Sequence, residues 1–289
     1  MAIAVASQST NAYASAASIT ITKPTGLAAG DLMVAAIHVT GSETVTTPAG
    51  WTQIIAQSHG GQAQTLTTLR KTADSGDAAA SDFTFNLSGT QQVAGILFRI
   101  TGQAGNTIIA ASDNDTLTND GTGTFSGGVT PTEASSLLIF CIGIDQGNQA
   151  GDITGYAVVT SNPSWTEAFE TERNLTDGNN YIFAVAYAIR TQITATGNYS
   201  FSYGGYDGAN TDACGQLICV NPAISVTISP STLNSTGAVQ TPTISGGAVV
   251  SPSTINASSA ILTPISIGQA DWSAQGKSTA PTWTNQTKS

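Results

Sequence analysis

The first 222 residues pass twice through one series of sequence signals, and this duplication limits the folds open to the chain more than any other feature. Each pass contains an apolar run, a Pro-initiated turn followed by Trp, a second apolar run and an alternating aromatic pair. Trp51 and Trp165 are 114 residues apart, and Phe85 and Phe201 are 116 residues apart. We therefore expect two halves of similar fold, at about 18–102 and 129–222.

Residue usage indicates which kind of fold is repeated. The chain contains 43 Thr but only four Lys and five Glu, and 9% of its residues are charged. Helices need Lys, Glu, Gln and Arg on their solvent-facing sides, whereas Thr and Val suit a pleated surface. The sequence therefore predicts an all-β protein.

Two apolar patterns indicate where the strands lie. The runs at 32–39 and 137–144 are apolar on both faces, which predicts central strands. Phe83 and Phe85 alternate with polar residues, which predicts a strand with one solvent-facing side. We predict that residues 1–222 form one jelly-roll-like antiparallel β-sandwich, and two separate sandwiches are the alternative.

The composition changes after residue 222, where a second kind of repeat begins. Residues 229–235 recur almost unchanged as 251–257, at an offset of 22. Two such short, Pro-containing units cannot enclose a core alone, so 223–270 is predicted to be an extended, β-rich stalk that associates with copies of the same chain. A flexible linker is the alternative. The aliphatic residues assigned to stalk association are Val226, Ile228, Leu233, Val239, Ile244, Val249, Ile255 and Ile261.

A third repeat lies at the end of the sequence, at 271–289. Trp272 with Lys277 recurs as Trp283 with Lys288, at a spacing of 11. Trp residues in a polar tail suit burial against a partner surface. We predict that this tail docks on other proteins of an assembly.

The three cysteines lie in or beside apolar, strand-like runs. Cys214 and Cys219 are five residues apart, so on one strand they point to opposite faces and cannot pair with each other. Cys141 lies in the longest apolar run. We predict three buried thiols and no cysteine metal site.

Trp51 and Trp165 have two interpretations. A Trp at a loop edge can stack on a sugar ring, and Tyr203 and Tyr206 belong to a second aromatic segment that could contact a glycan. The alternative, which a duplicated position favours, is that each Trp anchors one end of the fold.

No catalytic motif is apparent. Glu167, Glu170 and Glu172 cluster after Trp165, but on a strand they share no common face, so a solvated strand edge is the preferred interpretation. His38 lies inside an apolar run, which favours a hydrogen-bonded core residue, and His59 lies in a Gly-rich turn. We expect a non-enzymatic protein without a cofactor.

The acidic segment at 113–120 alternates Asp and Asn oxygens, which could bind calcium. Its spacing does not match an EF-hand, because the twelfth position is Thr124 instead of a bidentate Glu. An ordinary turn rich in Asp and Asn is the preferred interpretation, and no metal site is predicted.

Charge and the N-terminal sequence bear on partners and location. The formal net charge is −10 and no basic cluster occurs, which argues against binding to nucleic acid or to an anionic membrane. The first basic residue is Lys23, so the start lacks the cationic region of a secretory signal. We expect synthesis in the cytoplasm without export.

Several motifs resemble a β-sandwich module of tailed-bacteriophage structural proteins. The motifs are the segment 24–34, the Pro-Ala-Gly-Trp-Thr segment at 48–52 and the segment 95–102. The Ser-Pro-Ser-Thr repeats and the Trp-containing ending are similar to stalk and C-terminal segments of phage head or tail appendages. The resemblance implies a virion location and a capsid-decorating or fibre-like subunit, expected to be a trimer by analogy. Its partners would be copies of itself and other virion proteins. A glycan-binding adhesin of a phage or cell surface is the alternative, with a host surface glycan as partner.

Overall fold

The computed structural model describes residues 2–59, 64–117, 121–125, 127–148, 154–158, 163–173, 179–204 and 211–223. These residues belong to one unit of the chain. The predicted stalk beyond Ala223, the tail at 271–289 and Tyr206 lie outside the described residues.

Antiparallel strands make up nearly all of the described part, so the all-β prediction is confirmed. The helix among these residues, α1 (Ser75–Ala79), has five residues and begins with a capping box in which Asp74 and Asp77 each accept from the other's backbone N–H. No helix in this part of the chain has the length and hydrophobicity needed to cross a membrane.

The strands of the first half are β1 (Ala4–Thr22), β2 (Leu32–Thr40), β3 (Thr52–His59), β4 (Gln64–Thr72) and β5 (Asp82–Thr101). They form sheet I, in the order β1-β5-β2-β4-β3. The central strand is β2, the doubly apolar run, and all nine of its residues are buried. The prediction for this run is confirmed.

The strands that follow are β6 (Gln103–Leu117), β7 (Gly121–Phe125), β8 (Ser136–Asn148), β9 (Thr154–Val158), β10 (Thr166–Arg173), β11 (Asn179–Arg190), β12 (Tyr199–Gly204) and β13 (Thr211–Pro222). Sheet II has the order β6-β13-β8-β11-β10, and the small sheet III has the order β7-β12-β9. The second doubly apolar run is β8, which is again the central strand of its sheet, as predicted.

Sheets I and II share one strand order. In sheet I, β1 pairs with β5, β5 pairs with the doubly apolar strand β2, and β4 and β3 follow on the other side of β2. In sheet II, β6, β13, β8, β11 and β10 hold the same places in the same order. The registers also agree, since Leu32 of β2 faces Ile100 of β5 and Leu137 of β8 faces Val220 of β13. Two residues are equivalent when they hold the same register position in the two sheets.

The two sheets contact each other through one apolar cluster. Sheet I contributes residues such as Val34, Ile96 and Phe98, and sheet II contributes residues such as Ile139 and Ile218. Along one edge the sheets also meet by hydrogen bonds between β6 and β3. There, Ser112 Oγ donates to Gln57 Oε1 at 2.8 Å, and Asn114 Nδ2 donates to the Ser58 carbonyl at 3.0 Å.

The outer face of each sheet has its own cover. The β1–β5 ribbon continues beyond the part of β5 that pairs with β2 and packs over the outer face of sheet I, and three register shifts between β1 and β5 permit the bend. Sheet III covers sheet II in the same way, through Phe125, Tyr199 and Phe201. The alternating aromatic pairs are therefore the buried sides of these covers, as their pattern predicts.

A glycine lies beneath each cover at equivalent positions of β5 and β13. A Cβ on Gly95 would lie 3.0 Å from Ile21 Cδ1, and a Cβ on Gly215 would lie 2.5 Å from the Phe125 ring. Both positions therefore let the covering layer approach the sheet backbone closely.

The acidic segment gives a correction. Its residues up to Leu117 belong to strand β6, where Asp113 pairs with Gly215 of β13, so the predicted turn is wrong over this stretch. Pairing along β13 fixes the backbone as a strand despite the Asp and Asn content, which is a case of tertiary context overriding local preference. Residues 118–120 lie outside the described part.

The three cysteines are free and buried, as predicted. Cys214 faces the cluster between sheets I and II, whereas Cys219 faces the cluster beneath sheet III. Burial raises the pKa of Cys141, of Cys214 to about 12 and of Cys219 to about 11, so the thiols stay protonated at neutral pH.

Candidate functional site

Trp51 and Trp165 hold equivalent positions, each immediately before an edge strand, β3 or β10. Trp51 meets Phe83 and Phe85 edge to face, with ring centroids 6.0 and 5.1 Å apart. Trp165 meets Tyr199 at 5.6 Å and an interplanar angle of 88°. Both indoles are half-buried, so each packs on aromatic neighbours as an anchor would but is not fully enclosed.

The second Trp borders an open cleft. The cleft has a volume of about 210 Å³ and is lined by residues of β9, β10 and β11 together with Trp165: Ala157, Val158, Glu167 and Ala186. It lies between the edge of sheet III and the edge of sheet II.

An exchange of side-chain bulk explains why this position is open in the second half. In sheet I the cross-strand pair is Ala35 on β2 and Leu69 on β4, and Leu69 is fully buried. In sheet II the equivalent pair is Phe140 on β8 and Ala186 on β11. The large side chain of the pair lies on the central strand in sheet II, and the neighbouring strand β11 contributes only the methyl group of Ala186 to the cleft at Trp165.

The wall formed by β9 also differs between the halves. In the first half, the segment between β2 and β3 makes an isolated bridge, between Val45 and Leu87. In the second half the corresponding segment contains β9, which pairs with β12. Strand β9 therefore forms one wall of the cleft in the second half.

Glu167 is the carboxylate at the cleft. It is exposed, and its equivalent in β3 is Gln53. Glu172 is also exposed and Glu170 is half-buried, on an edge strand that pairs with β11, so the prediction of a solvated strand edge is confirmed for Glu167 and Glu172.

A chain of polar side chains is buried where sheets I and II meet. The Tyr13 hydroxyl contacts His38 Nδ1, and His38 Nε2 lies 2.8 Å from Gln64 Oε1. Gln64 Nε2 in turn donates to the Asp212 carbonyl of sheet II at 2.6 Å. Because an amide oxygen only accepts, the neutral His38 donates from Nε2 and accepts at Nδ1 from Tyr13.

Burial keeps this chain uncharged. It lowers the pKa of His38 to about 4, which the hydrogen bond to Gln64 offsets only in part. Burial also raises the pKa of Tyr13 well above its ordinary value. His38 is thus the hydrogen-bonded core residue that its apolar run predicts.

Two further contacts join the sheets. Gln216 of β13 accepts from Thr68 Oγ1 at 2.9 Å and donates to the Leu66 carbonyl at 2.6 Å. His59 Nδ1 lies 3.0 Å from Asp212 Oδ2. His59 is the last residue of β3, so its predicted place in a turn is wrong. The buried polar groups therefore act as ties between the sheets.

The remaining predicted site residues are not brought together. Tyr203 is in β12, where it pairs with Gly121, and its side chain lies outside the described part. Among described residues, no group of three or more His, Cys, Asp or Glu side chains could hold a metal ion. The sites predicted at Trp272, Lys277, Trp283 and Lys288 fall beyond the described residues.

Sequence reasoning missed Ala186, Val158, Gln64 and Asp212. The polar residues Gln64 and Asp212 do flank strand-like runs, which is a usable signal for buried polar contacts. Nothing in the sequence marks Ala186, because its part in the cleft depends on residues that only the fold brings next to it.

Comparisons with protein-family models, with curated proteins and with solved structures found no match for this chain. The resemblance to phage structural modules therefore stays a prediction from its motifs.

Proposed function

We propose that this protein is a non-enzymatic structural subunit of a tailed-bacteriophage virion, a capsid-decorating or fibre-like appendage. In this proposal, sheets I and II form one jelly-roll-like β-sandwich that both halves build together. The chain is made in the host cytoplasm, associates as a homotrimer and joins other virion proteins through its C-terminal arm.

The observation that carries the non-enzymatic part is the use made of the buried polar groups. His38 has both ring nitrogens occupied, by Tyr13 and Gln64, and Gln216 bonds to two groups of sheet I. Polar groups fully hydrogen-bonded across a core fix one arrangement of the sheets. Such a rigid unit suits a particle component that must keep its shape.

The arm after residue 222 supplies the self-association in this proposal. Its aliphatic side chains would be exposed on a lone chain, and an extended arm gains too little from its own contacts to offset the entropy of ordering. When copies cover one another, order and assembly arise together. The Trp residues of the tail would then anchor the assembly on the particle.

Truncation tests the proposal. The full chain, a variant without 271–289 and a variant without 223–289 are compared by light scattering coupled to size exclusion, and by binding to particles that lack the protein. We expect a trimer that binds particles, a trimer that does not bind, and a monomer, respectively. Circular dichroism of each variant checks that its β-structure is retained. If the shortest chain still forms a trimer, or still occupies particles normally, the proposed role of the arm is wrong.

A further inference from the structure

We propose that the cleft at Trp165 binds one ring of a neutral pyranose sugar. The site is formed by Trp165, Glu167, Ala186, Ala157 and Val158. It does not depend on the assembly role of the C-terminal arm, because these five residues belong to the same unit of the chain as the sheets.

The indole is held in place before any ligand arrives. Tyr199 meets it edge to face, and Phe140 lies 6.2 Å from it at an interplanar angle of 59°. A sugar ring has one face of C–H groups, which packs on an aromatic surface, and a rigid surface loses little entropy on binding. The two supporting rings therefore prepare Trp165 as a stacking platform.

The carboxylate of Glu167 is suited to bind the hydroxyl groups of a sugar. Glu167 is exposed and offers two carboxylate oxygens that accept hydrogen bonds from a polyol. Trp165 Nε1 is shielded by the protein, so in this proposal Trp165 contacts the sugar through its ring surface and Glu167 supplies the polar contact.

Charge and size select the ligand further. The carboxylate of Glu167, on a chain with a net charge of −10, repels acidic sugars and favours neutral ones. The volume of about 210 Å³ is below the roughly 300–1,000 Å³ of sites for drug-sized ligands. A single ring, free or at the end of a glycan, is therefore the expected occupant.

An added peptide strand is a poorer fit to the same place. The register of β10 shifts between Glu167 and Phe169, which breaks the regular row of backbone groups that strand addition needs. The cleft is thus better matched to a ligand that contacts side chains.

The experiment measures saturation-transfer difference NMR spectra of the full chain with methyl glycosides of glucose, galactose, mannose and N-acetylglucosamine. Glucuronic acid and a short β-forming peptide serve as comparison ligands. We expect at least one neutral glycoside to bind with a Kd on the order of 1 mM, as suits a single ring. Glucuronic acid should bind at least tenfold more weakly.

Two variants convert the cleft to the first-half pattern. Ala186→Leu introduces the side chain found at Leu69 and should weaken binding at least tenfold, while Glu167→Gln introduces the residue found at Gln53 and should weaken it about fivefold. Matched controls in the first half, Gln53→Glu and Trp51→Phe, should leave binding unchanged. Melting temperatures establish that each variant is folded, and Glu167→Gln alters only an exposed side chain.

Several results would overturn the proposal. They are the absence of binding by any neutral glycoside at 50-fold above the expected Kd (~50 mM), unchanged binding by both cleft variants, loss of binding in Trp51→Phe, or binding of the peptide alone. Because none of these measurements uses the arm, they leave the assembly proposal separately testable.

Discussion

In sheet I, the large residue of one cross-strand pair is Leu69, which belongs to the apolar cluster that the half-buried Trp51 packs against. In sheet II, the residue equivalent to Leu69 is Ala186, beside Trp165, and the large residue of the pair is Phe140 on the central strand. The two sheets keep the same strand order and the same register irregularity in their edge strands, after Gln53 and after Glu167. The difference teaches that a duplicated fold can keep its strand order and register while the large side chain of a cross-strand pair changes strand. Together with the wall formed by β9, this change accompanies a cleft in the second half.

A second difference concerns the contact between the halves. His38 and Gly143 are equivalent, yet they meet each other, and a Cβ on Gly143 would overlap the His38 ring. When two similar halves pack face to face, an equivalent position can meet itself, as in a twofold interface. Two imidazoles could not share this space, so one copy is His and the other has no side chain.

The largest effect is expected when the first half loses its filled position. Leu69→Ala should reduce the free energy of unfolding by about 2–5 kcal/mol, because Leu69 is fully buried and the space around it cannot collapse completely. Denaturant unfolding of the full chain measures this loss. Ala186→Leu should cost less, since it extends into an existing cleft. Equal losses in the two variants would contradict the proposed difference in packing.

The next effect tests the asymmetry between His38 and Gly143 through pH. The unfolded chain binds a proton at His38 below about pH 6.5, whereas the folded chain, with a His38 pKa of about 4, does not. The stability from this group is therefore complete above pH 6.5 and decreases as the pH falls towards 4, by about 3 kcal/mol in total.

Unfolding curves between pH 7 and pH 4 measure this dependence. Carboxylates also titrate in the window, so the informative quantity is the difference from His38→Gln, which should lose about this much of the pH dependence. If the wild-type protein and His38→Gln respond to pH equally, His38 is not held neutral by burial.

A third prediction compares the equivalent glycines beneath the covers. Gly215→Ala should cost about 1–3 kcal/mol, because the new methyl group would meet the edge of the Phe125 ring along several atoms. Gly95→Ala should cost less, since its nearest neighbours are the terminal methyl groups of Ile19 and Ile21, which can shift. Thermal unfolding of both variants gives the order, and a larger loss for Gly95→Ala would show that the covers are not packed as described.

The smallest effect concerns the side-chain hydrogen bond near the start of the central strand in each half. In the first half Arg99 Nε donates to Asp31 Oδ2 at 2.7 Å, and in the second half Ser136 Oγ donates to Asn221 Oδ1 at 2.9 Å. Asp31→Asn should cost about 0.2–1 kcal/mol at low salt and less in about 1 M salt, since the pair is partly exposed. Ser136→Ala, at a buried neutral contact, should show no such salt dependence. A salt response shared by both variants would contradict this contrast.

Much of the fold was predictable because it depends on pattern. The apolar runs of β2 and β8 have no polar face, so they must lie where a sheet is covered on both sides. Phe83 and Phe85 show the period of two that a half-exposed strand requires. The opposite orientations of Cys214 and Cys219 follow from the same period. The segment from Asp113 was misinterpreted because its residues favour turns, and only its partner β13 holds it as a strand.

The candidate site was predictable in one residue and hidden in the others. Trp165 stands out as a duplicated aromatic position next to a turn. Ala186 and Val158 are ordinary strand residues, and they become part of a cleft only because β9 and β11 come together beside that indole. Gln53 and Glu167 differ by one negative charge. In our proposal this charge contributes to binding at Glu167 because Glu167 borders the cleft.

By itself, the sequence determined the β-class, the repeated order of strand signals, the central strands and the buried thiols, because these follow from side-chain periodicity and composition, which act locally along the chain. The tertiary structure alone decided which of two equivalent Trp residues borders open space, which of two equivalent core positions carries His38, and which polar groups tie the sheets. Each of those outcomes depends on the volume and hydrogen bonding of residues from strands far apart in sequence. Because protein interiors are closely packed, the side chains of such neighbours must together fill the volume between the strands. The pattern of the sequence does not show how much of that volume each side chain takes.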